Sequence, residues 1–234
     1  MINWKVRFRN PVFWVQIIVA IVLPILAYLG LSWDDMTSWA ALGGIFLEAV
    51  KNPVILVSVV VGIALTLPIS SAAICSVLGL TGLAGGAAVA GCCAQMVGFA
   101  VISFKENGFG GLVSQGIGTS MLQMPNIIKN PRIWIPPTVA SMITGPIATC
   151  VFRLQMNGAP VSSGMGTCGF VGQIGVYTGW VSDVAAGTKA AITAMDWVGL
   201  VLICFVLPAV LTWAFGLILR KIGWIKENDL KLPE

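Results

Sequence analysis

The chain contains no histidine, and charged residues make up only 9% of its 234 residues. Without histidine, Ser-His-Asp and Cys-His catalytic arrangements cannot form, and the usual general base near neutral pH is missing. Zinc and haem sites lose their usual ligands as well, because the six cysteines include no Cys-x-x-Cys pair. We therefore expect no catalytic residue, no metal and no cofactor in this chain.

The shortage of charge also argues against a soluble fold. Hydrophobic residues make up 57% of the chain, whereas a typical soluble domain is about 25% charged. A soluble chain of this length needs a polar shell around its core, and this sequence has too few polar residues to build one. The composition predicts an all-α, polytopic integral membrane bundle that lies in a lipid bilayer and binds no nucleic acid.

Long apolar runs predict where the chain crosses the membrane. Residues 13–31 and 197–219 are each long enough to cross an apolar core of about 30 Å. Residues 52–104 include no charge at all, and one helix of that length would extend about 80 Å, so the chain must turn back. Breaks near proline and glycine divide this stretch into three predicted helices, residues 53–67, 71–84 and 87–104. We expect about six crossings in the whole chain.

Positive charges flank the first and last apolar runs. By the positive-inside rule, this placement predicts that both termini are cytoplasmic and that the number of full crossings is even. The basic residues before the first run are Lys5, Arg7 and Arg9, and those after the last run are Arg220, Lys221, Lys226 and Lys231.

Two short segments of the chain resemble each other. Residues 116–120 read Gly-Ile-Gly-Thr-Ser, and residues 164–168 read Gly-Met-Gly-Thr-Cys; we call them the Gly-Thr elements. Irregular backbone at membrane depth must line a cavity or be buried in protein, and paired broken segments are typical of a transporter's substrate site. They are predicted to be broken or re-entrant segments, with the alternative that their glycines only allow tight helix packing.

Amides and hydroxyls cluster around the Gly-Thr elements. Because these groups donate and accept hydrogen bonds without charge, they suit a polyhydroxylated solute. The candidate solute-binding residues are Gln95, Thr119, Ser120, Gln123, Asn126, Thr167 and Gln173. The basic Lys129, Arg132 and Arg153 are expected at a membrane interface, with the alternative that one of them meets an anionic group in a cavity.

Four strings, which begin at Leu65 (LTLPISSAAI), Gly91 (GCCAQMVGFA), Gln115 (QGIGTSMLQMPNIIKNP) and Gly164 (GMGTCGFVGQIG), carry a family resemblance. Over about residues 52–220 the chain is similar to the C-terminal part of a phosphotransferase-system enzyme IIC, the membrane sugar permease. The resemblance implies a homo-oligomer in the bacterial plasma membrane that translocates a sugar, with phosphorylation by a separate enzyme IIB. The chain would then be at most the permease subunit of a sugar phosphotransferase.

The first residues resemble a different family. The strings at Met1 (MINWKVRF), Asn10 (NPVFWV) and Leu47 (LEAVKNP) are similar to a small two-span phage holin. Together the resemblances imply two domains, a holin-like segment at 1–51 with the first span and an enzyme IIC-like domain at 52–234 with a short cytoplasmic tail. The permease would lack its own N-terminal half, so two alternatives stay open: a holin-type membrane-lesion protein and an inactive fusion remnant.

Overall fold

The computed structural model describes residues 53–232, and the predicted span at 13–31 and the holin-like segment lie outside these residues. Within the described range the chain forms helices joined by turns and loops, with one isolated bridge between Gly82 and Met156 and no strand. The prediction of an all-α fold is therefore confirmed for this range.

Nine α-helices lie between residues 53 and 232, and we number them from the first of these. Hydrophobic runs form the long ones, and prolines and glycines set most of their ends. They are α1 (Pro53–Thr66), α2 (Ser71–Val77), α3 (Gly82–Ile102), α4 (Phe104–Val113), α5 (Met124–Lys129), α6 (Ile135–Pro146), α7 (Val171–Ala185), α8 (Ala194–Val201) and α9 (Leu207–Ile222).

Helix α3 is the centre of the bundle, and 94% of its most apolar stretch is buried. Helices α1, α6 and α9 all pack against it. A side chain at Gly91 would overlap the backbone carbonyl of Ser58 in α1, so glycine is required where the two helices touch. The predicted break near residues 82–91 is therefore wrong: α2 ends at Val77, and α3 begins at Gly82 and continues through these glycines, which serve as helix contacts.

Two helices of the described range are long and apolar enough to cross a membrane, α3 and the continuous helix Ala194–Ile222. The second joins α8 to α9 through a π-helical turn, Leu202–Val206, just before Pro208. Proline cannot donate a backbone hydrogen bond, and the wider turn adapts the helix to that loss. The count of about six crossings stays a prediction.

The polar stretch between α4 and α6 is broken, as its prolines predict. It forms the π-helical turn Ser114–Gly118, the 3-10 turns Ser120–Gln123 and Pro131–Trp134, and the short α5. The second irregular stretch contains the 3-10 turns Pro160–Gly164 and Cys168–Phe170. These two stretches hold the Gly-Thr elements.

The C-terminal tail folds back against the bundle after α9. Gly223, with a left-handed φ of 80°, ends the helix. The side chains of Ile225 and Leu230 are then buried in a cluster with Phe99 and Ile133. The tail is thus part of the packed structure up to residue 232.

Candidate functional site

The structure brings the two Gly-Thr elements into contact. The hydroxyl of Thr167 donates a hydrogen bond to the backbone carbonyl of Gly116, and it also lies 3.5 Å from the sulfur of Met96 in α3. Gly166 has a left-handed φ of 52°, and an added Cβ would lie 2.7 Å from the Cβ of Cys92. The second element is therefore wedged between α3 and the first element, and its irregular backbone is sheltered by protein.

A chain of polar side chains crosses the bundle next to this contact. Ser120 lies 2.9 Å from Thr66 between their hydroxyl oxygens, and Thr66 donates to the Oε1 of Gln95 at 3.3 Å. The same oxygen accepts from the indole Nε1 of Trp134 at 2.9 Å, and the Nε2 of Gln95 donates to Thr138 at 3.3 Å. We call these residues the inner network. Gln95, Ser120 and Thr66 are fully buried, so the network holds its members in fixed positions.

The amides of Gln123 and Asn126 are directed to the C-terminal tail. The Nε2 of Gln123 donates to the backbone carbonyl of Leu230 at 3.0 Å and to the Oε1 of Gln115 at 2.8 Å. Asn126 donates to the backbone carbonyl of Lys231 and to the Oε1 of Gln123, both at 2.8 Å. Gln115, Gln123 and Asn126, which we call the tail clamp, are buried and satisfied within the chain.

The remaining predicted residues stand apart from both clusters. Thr119 accepts from the backbone N–H of Met121 at 3.2 Å and so caps the 3-10 turn that follows it. Gln173, in the first turn of α7, donates to the sulfur of Cys93 at 3.2 Å. Its Oε1 is buried and has no hydrogen-bond partner among the described residues. A buried amide oxygen in this state is free to accept a hydroxyl from a solute.

A water-accessible cavity of about 610 Å³ lies at another place in the bundle, beside the loop that follows α6. We call it the outer cavity and define it by Arg153, Gln155, Asn157, Trp180, Asp183 and Lys189, which all line it. None of the seven solute-binding residues predicted from the sequence lines this cavity.

Three residues of the inner network and most of the outer cavity were missed by sequence reasoning. A signal existed for Trp134, because a buried indole N–H needs an acceptor. The sequence predicts Arg153 at a membrane interface. The structure places Arg153 in the wall of the outer cavity; whether it meets an anionic group there stays a prediction.

Comparison with known proteins gives one match. A family model described as "Phosphotransferase system, EIIC" matches residues 12–232. The match begins within the segment that resembles a holin and includes most of it, and no comparison supports a holin-like fusion. No curated protein and no solved structure matches the chain.

Proposed function

This chain belongs to the phosphotransferase-system EIIC family, the membrane permease components of bacterial sugar phosphotransferase systems, and on that premise we propose how it handles its solute. It binds a neutral sugar or sugar-like solute inside the helical bundle and translocates it across the plasma membrane. A separate enzyme IIB supplies the phosphoryl group, as membership of the EIIC family implies.

The observation that carries this proposal is the hydrogen bond from Thr167 to the backbone of Gly116. It joins two broken segments that come from separate parts of the sequence, inside a bundle of apolar helices. Broken segments that meet in this way are how transporters present backbone and hydroxyl groups to a substrate at membrane depth.

We assign the solute path to Gln95, Ser120, Thr167 and Gln173. All four side chains are buried and uncharged, and they lie around the face of α3 that contacts both Gly-Thr elements. Neutral donors and acceptors match hydroxyl groups without the cost of burying a charge. The unpaired Oε1 of Gln173 is the acceptor that a solute hydroxyl would satisfy.

A role in solute binding for the other three predicted residues, Thr119, Gln123 and Asn126, also stays a proposal. These three side chains already have partners in the chain. Thr119 caps a turn, and the two amides hold the tail. A solute reaches the amides only after the tail releases them. Their participation therefore requires a movement of residues 230 and 231 during transport.

The proposal is tested by sugar uptake in bacterial cells that lack their own sugar phosphotransferase permeases. Cells that express the full chain with an enzyme IIB are given radiolabelled D-glucose, D-galactose, D-mannitol and N-acetyl-D-glucosamine. We expect accumulation of the phosphate of at least one of these sugars, dependent on both proteins. Thr167→Val is expected to reduce this accumulation by about fivefold or more. The matched control is Thr178→Val, because Thr178 is exposed and bonds only within its own helix.

Two other outcomes correspond to the alternatives. Abrupt permeabilisation and growth arrest on induction of the full chain would favour a holin-type lesion protein. A chain that inserts but causes neither uptake nor permeabilisation would favour an inactive remnant. Either result contradicts the permease proposal.

A further inference from the structure

The outer cavity has the size and the lining of a sugar site. Its volume of about 610 Å³ falls within the range of about 300–1,000 Å³ that is usual for small-molecule pockets. The aromatic Trp180 forms part of the wall, beside planar polar side chains and apolar ones such as Phe152 and Met195. Amide, carboxylate and guanidinium groups hold their donors and acceptors in fixed planes, which suits paired hydroxyl groups.

The charges in the cavity wall balance. Arg153 and Lys189 contribute two positive charges, and Asp183 and Asp196 contribute two negative ones. Lys189 and Asp196 are paired with each other at 2.8 Å. A site whose charges sum to zero attracts neither an anion nor a cation strongly, and it favours a neutral polar solute.

Several polar groups of the cavity are left free for a ligand. Asp183 accepts from the Nδ2 of Asn157 through one carboxylate oxygen, at 2.7 Å, and the other oxygen has no partner in residues 53–232. Within the same range, the guanidinium of Arg153 makes no hydrogen bond and no ion pair, and the amide nitrogen of Gln155 donates to nothing. These three groups line one cavity, where solute hydroxyls can take the place of water.

The loop that carries these groups has a defined backbone conformation without a ligand. Arg153 has a left-handed φ of 47°, which is uncommon for a residue with a side chain. Directly after it, Leu154 donates to the backbone carbonyl of Ala148 at 2.8 Å, and Met156 exchanges two backbone hydrogen bonds with Gly82, both at 3.0 Å. A preset loop loses little conformational freedom on binding, so its contacts contribute more to affinity.

The long helix Ala194–Ile222 places the cavity relative to the membrane. At about 1.5 Å per residue it spans about 43 Å, which is long enough for its two ends to lie on opposite sides of an apolar core of about 30 Å. Asp196, at its first turn, borders the cavity, whereas Arg220 and Lys221 are at its last turn. The positive-inside rule predicts that the basic end is cytoplasmic, and on that orientation the cavity faces the outside.

From these observations we propose that the outer cavity is the outward-facing site at which a neutral sugar first binds, through Arg153, Gln155 and Asp183. The inference rests on the proposed function and adds to it the place where the solute enters. Trp180 in the cavity wall and Gln173 are seven residues apart on α7, and so lie on one buried face about two turns from each other. That face leads from the outer cavity to the solute path.

The first test measures binding of D-glucose, D-galactose, D-mannitol and N-acetyl-D-glucosamine, each radiolabelled, to the purified full chain in lipid nanodiscs by equilibrium dialysis. We expect the wild type to bind at least one of them. Asp183→Asn and Arg153→Gln are each expected to weaken that binding about tenfold or more, since each removes a charge-assisted hydrogen bond. The control is Lys105→Gln, which removes a charge from an exposed ion pair with Glu227 outside the cavity and is expected to bind within twofold of the wild type.

The outcomes separate the inference from its premise. If the wild type binds a sugar and both cavity variants bind it within twofold, the inference is wrong and the proposed function stands. If the wild type binds none of the four sugars, the proposed function is contradicted and the inference falls with it. Folding of each variant is checked by its thermal unfolding, and a misfolded variant is replaced by Gln155→Leu, for which a tenfold loss is also expected.

The second test determines which side of the membrane the cavity faces. The exposed Cys150 and the half-buried Cys168 are first removed by Cys150→Ser and Cys168→Ser, and Gln155→Cys or Lys226→Cys is then added. We expect a membrane-impermeant maleimide to label the Gln155→Cys variant in intact cells and the Lys226→Cys variant only after cell disruption. The label at position 155 is also expected to abolish binding of the sugar that the wild type binds. Labelling of position 155 only after disruption, or full sugar binding after labelling, would overturn the inference.

Discussion

Polar side chains of similar chemistry differ in their hydrogen-bond partners between the tail clamp and the outer cavity. In the tail clamp, Gln123 and Asn126 are buried, and their amides hydrogen-bond to neighbouring amides and to the backbone of the tail. In the outer cavity, Arg153, Gln155 and Asp183 reach water and keep groups that have no partner among the residues that the structure describes. The comparison shows that the residue type alone does not predict whether a polar side chain holds the tail or faces a cavity; its partners decide this.

The energetic reason lies in what each group gives up. A buried amide that already has its hydrogen bonds must break them to bind a solute, at a cost of about 1–3 kcal/mol for each group left unsatisfied. A group that faces water exchanges a hydrogen bond to water for a hydrogen bond to the solute when the solute binds. Substitutions in the tail clamp should therefore change stability, and substitutions in the outer cavity should change binding.

The largest effect is expected at the buried ion pair next to the tail clamp. A nitrogen of Arg220 lies 2.6 Å from the Oε1 of Glu106, whose side chain is only 3% exposed. The same nitrogen donates to the backbone carbonyl of Ile102 at 3.1 Å. Arg220→Gln leaves a buried carboxylate without its counter-charge and should lower the free energy of unfolding by about 3–5 kcal/mol. Urea unfolding in detergent measures this loss. Adding Glu106→Gln to Arg220→Gln should restore most of it, and no recovery in the double variant would contradict the electrostatic explanation.

A smaller loss is expected within the tail clamp itself. Gln123→Leu removes the donor to the backbone carbonyl of Leu230 and to Gln115, and leaves Asn126 without one acceptor. We expect it to lower the free energy of unfolding by about 2–3 kcal/mol. The same substitution in the outer cavity, Gln155→Leu, should change it by less than about 0.5 kcal/mol, because that amide is exposed. Equal losses in the two variants would break the comparison between the two regions.

Between the two regions, the contact of the Gly-Thr elements is expected to have an intermediate effect. Thr167→Val keeps the shape of the side chain but leaves the buried carbonyl of Gly116 without its hydroxyl donor. Thermal unfolding should show a loss of about 1–2 kcal/mol, against less than about 0.5 kcal/mol for Thr178→Val. A loss at Thr167 no larger than that at Thr178 would show that the hydrogen bond does not join the two elements.

The smallest effect is expected at the exposed ion pair between Lys105 and Glu227. The two side chains are about three quarters exposed, at 74% and 75%, and their charged atoms lie 3.3 Å apart. Lys105→Gln should change the free energy of unfolding by no more than about 0.5 kcal/mol, since water and salt screen such pairs. Measurement at low and at high salt should give the same value within error. A loss above 1 kcal/mol would mean that this pair contributes to docking of the tail.

The fold could be predicted from the sequence wherever the local composition determines the secondary structure. Hydropathy located α1 and the last long helix, and prolines correctly indicated that residues 110–137 do not form one helix. The glycines near residue 86 were misread as a break, because glycine weakens a helix in isolation but allows close packing within a bundle. Only the partner backbone, such as Ser58 opposite Gly91, decides between the two, and the partner is not adjacent in sequence.

The candidate site was predictable to a lesser degree. The similarity of the Gly-Thr elements correctly drew attention to Thr167 and Gly116, which the fold brings together. The partners of Gln123 and Asn126 lie in the tail, more than 100 residues further along the chain, and no local pattern indicates them. The outer cavity depends on the left-handed backbone at Arg153, which follows from tertiary contacts and not from the residue type.

Sugar-dependent thermal unfolding of two variants in nanodiscs tests the central claim most directly, with a sugar that the wild type binds. Gln123→Leu should unfold at a lower temperature than the wild type and still gain the full stabilisation that the sugar gives to the wild type. Asp183→Asn should unfold at the wild-type temperature without sugar and gain little when sugar is added. The opposite pattern, with the sugar response lost in Gln123→Leu and retained in Asp183→Asn, would contradict the division between a structural tail clamp and a sugar-binding outer cavity.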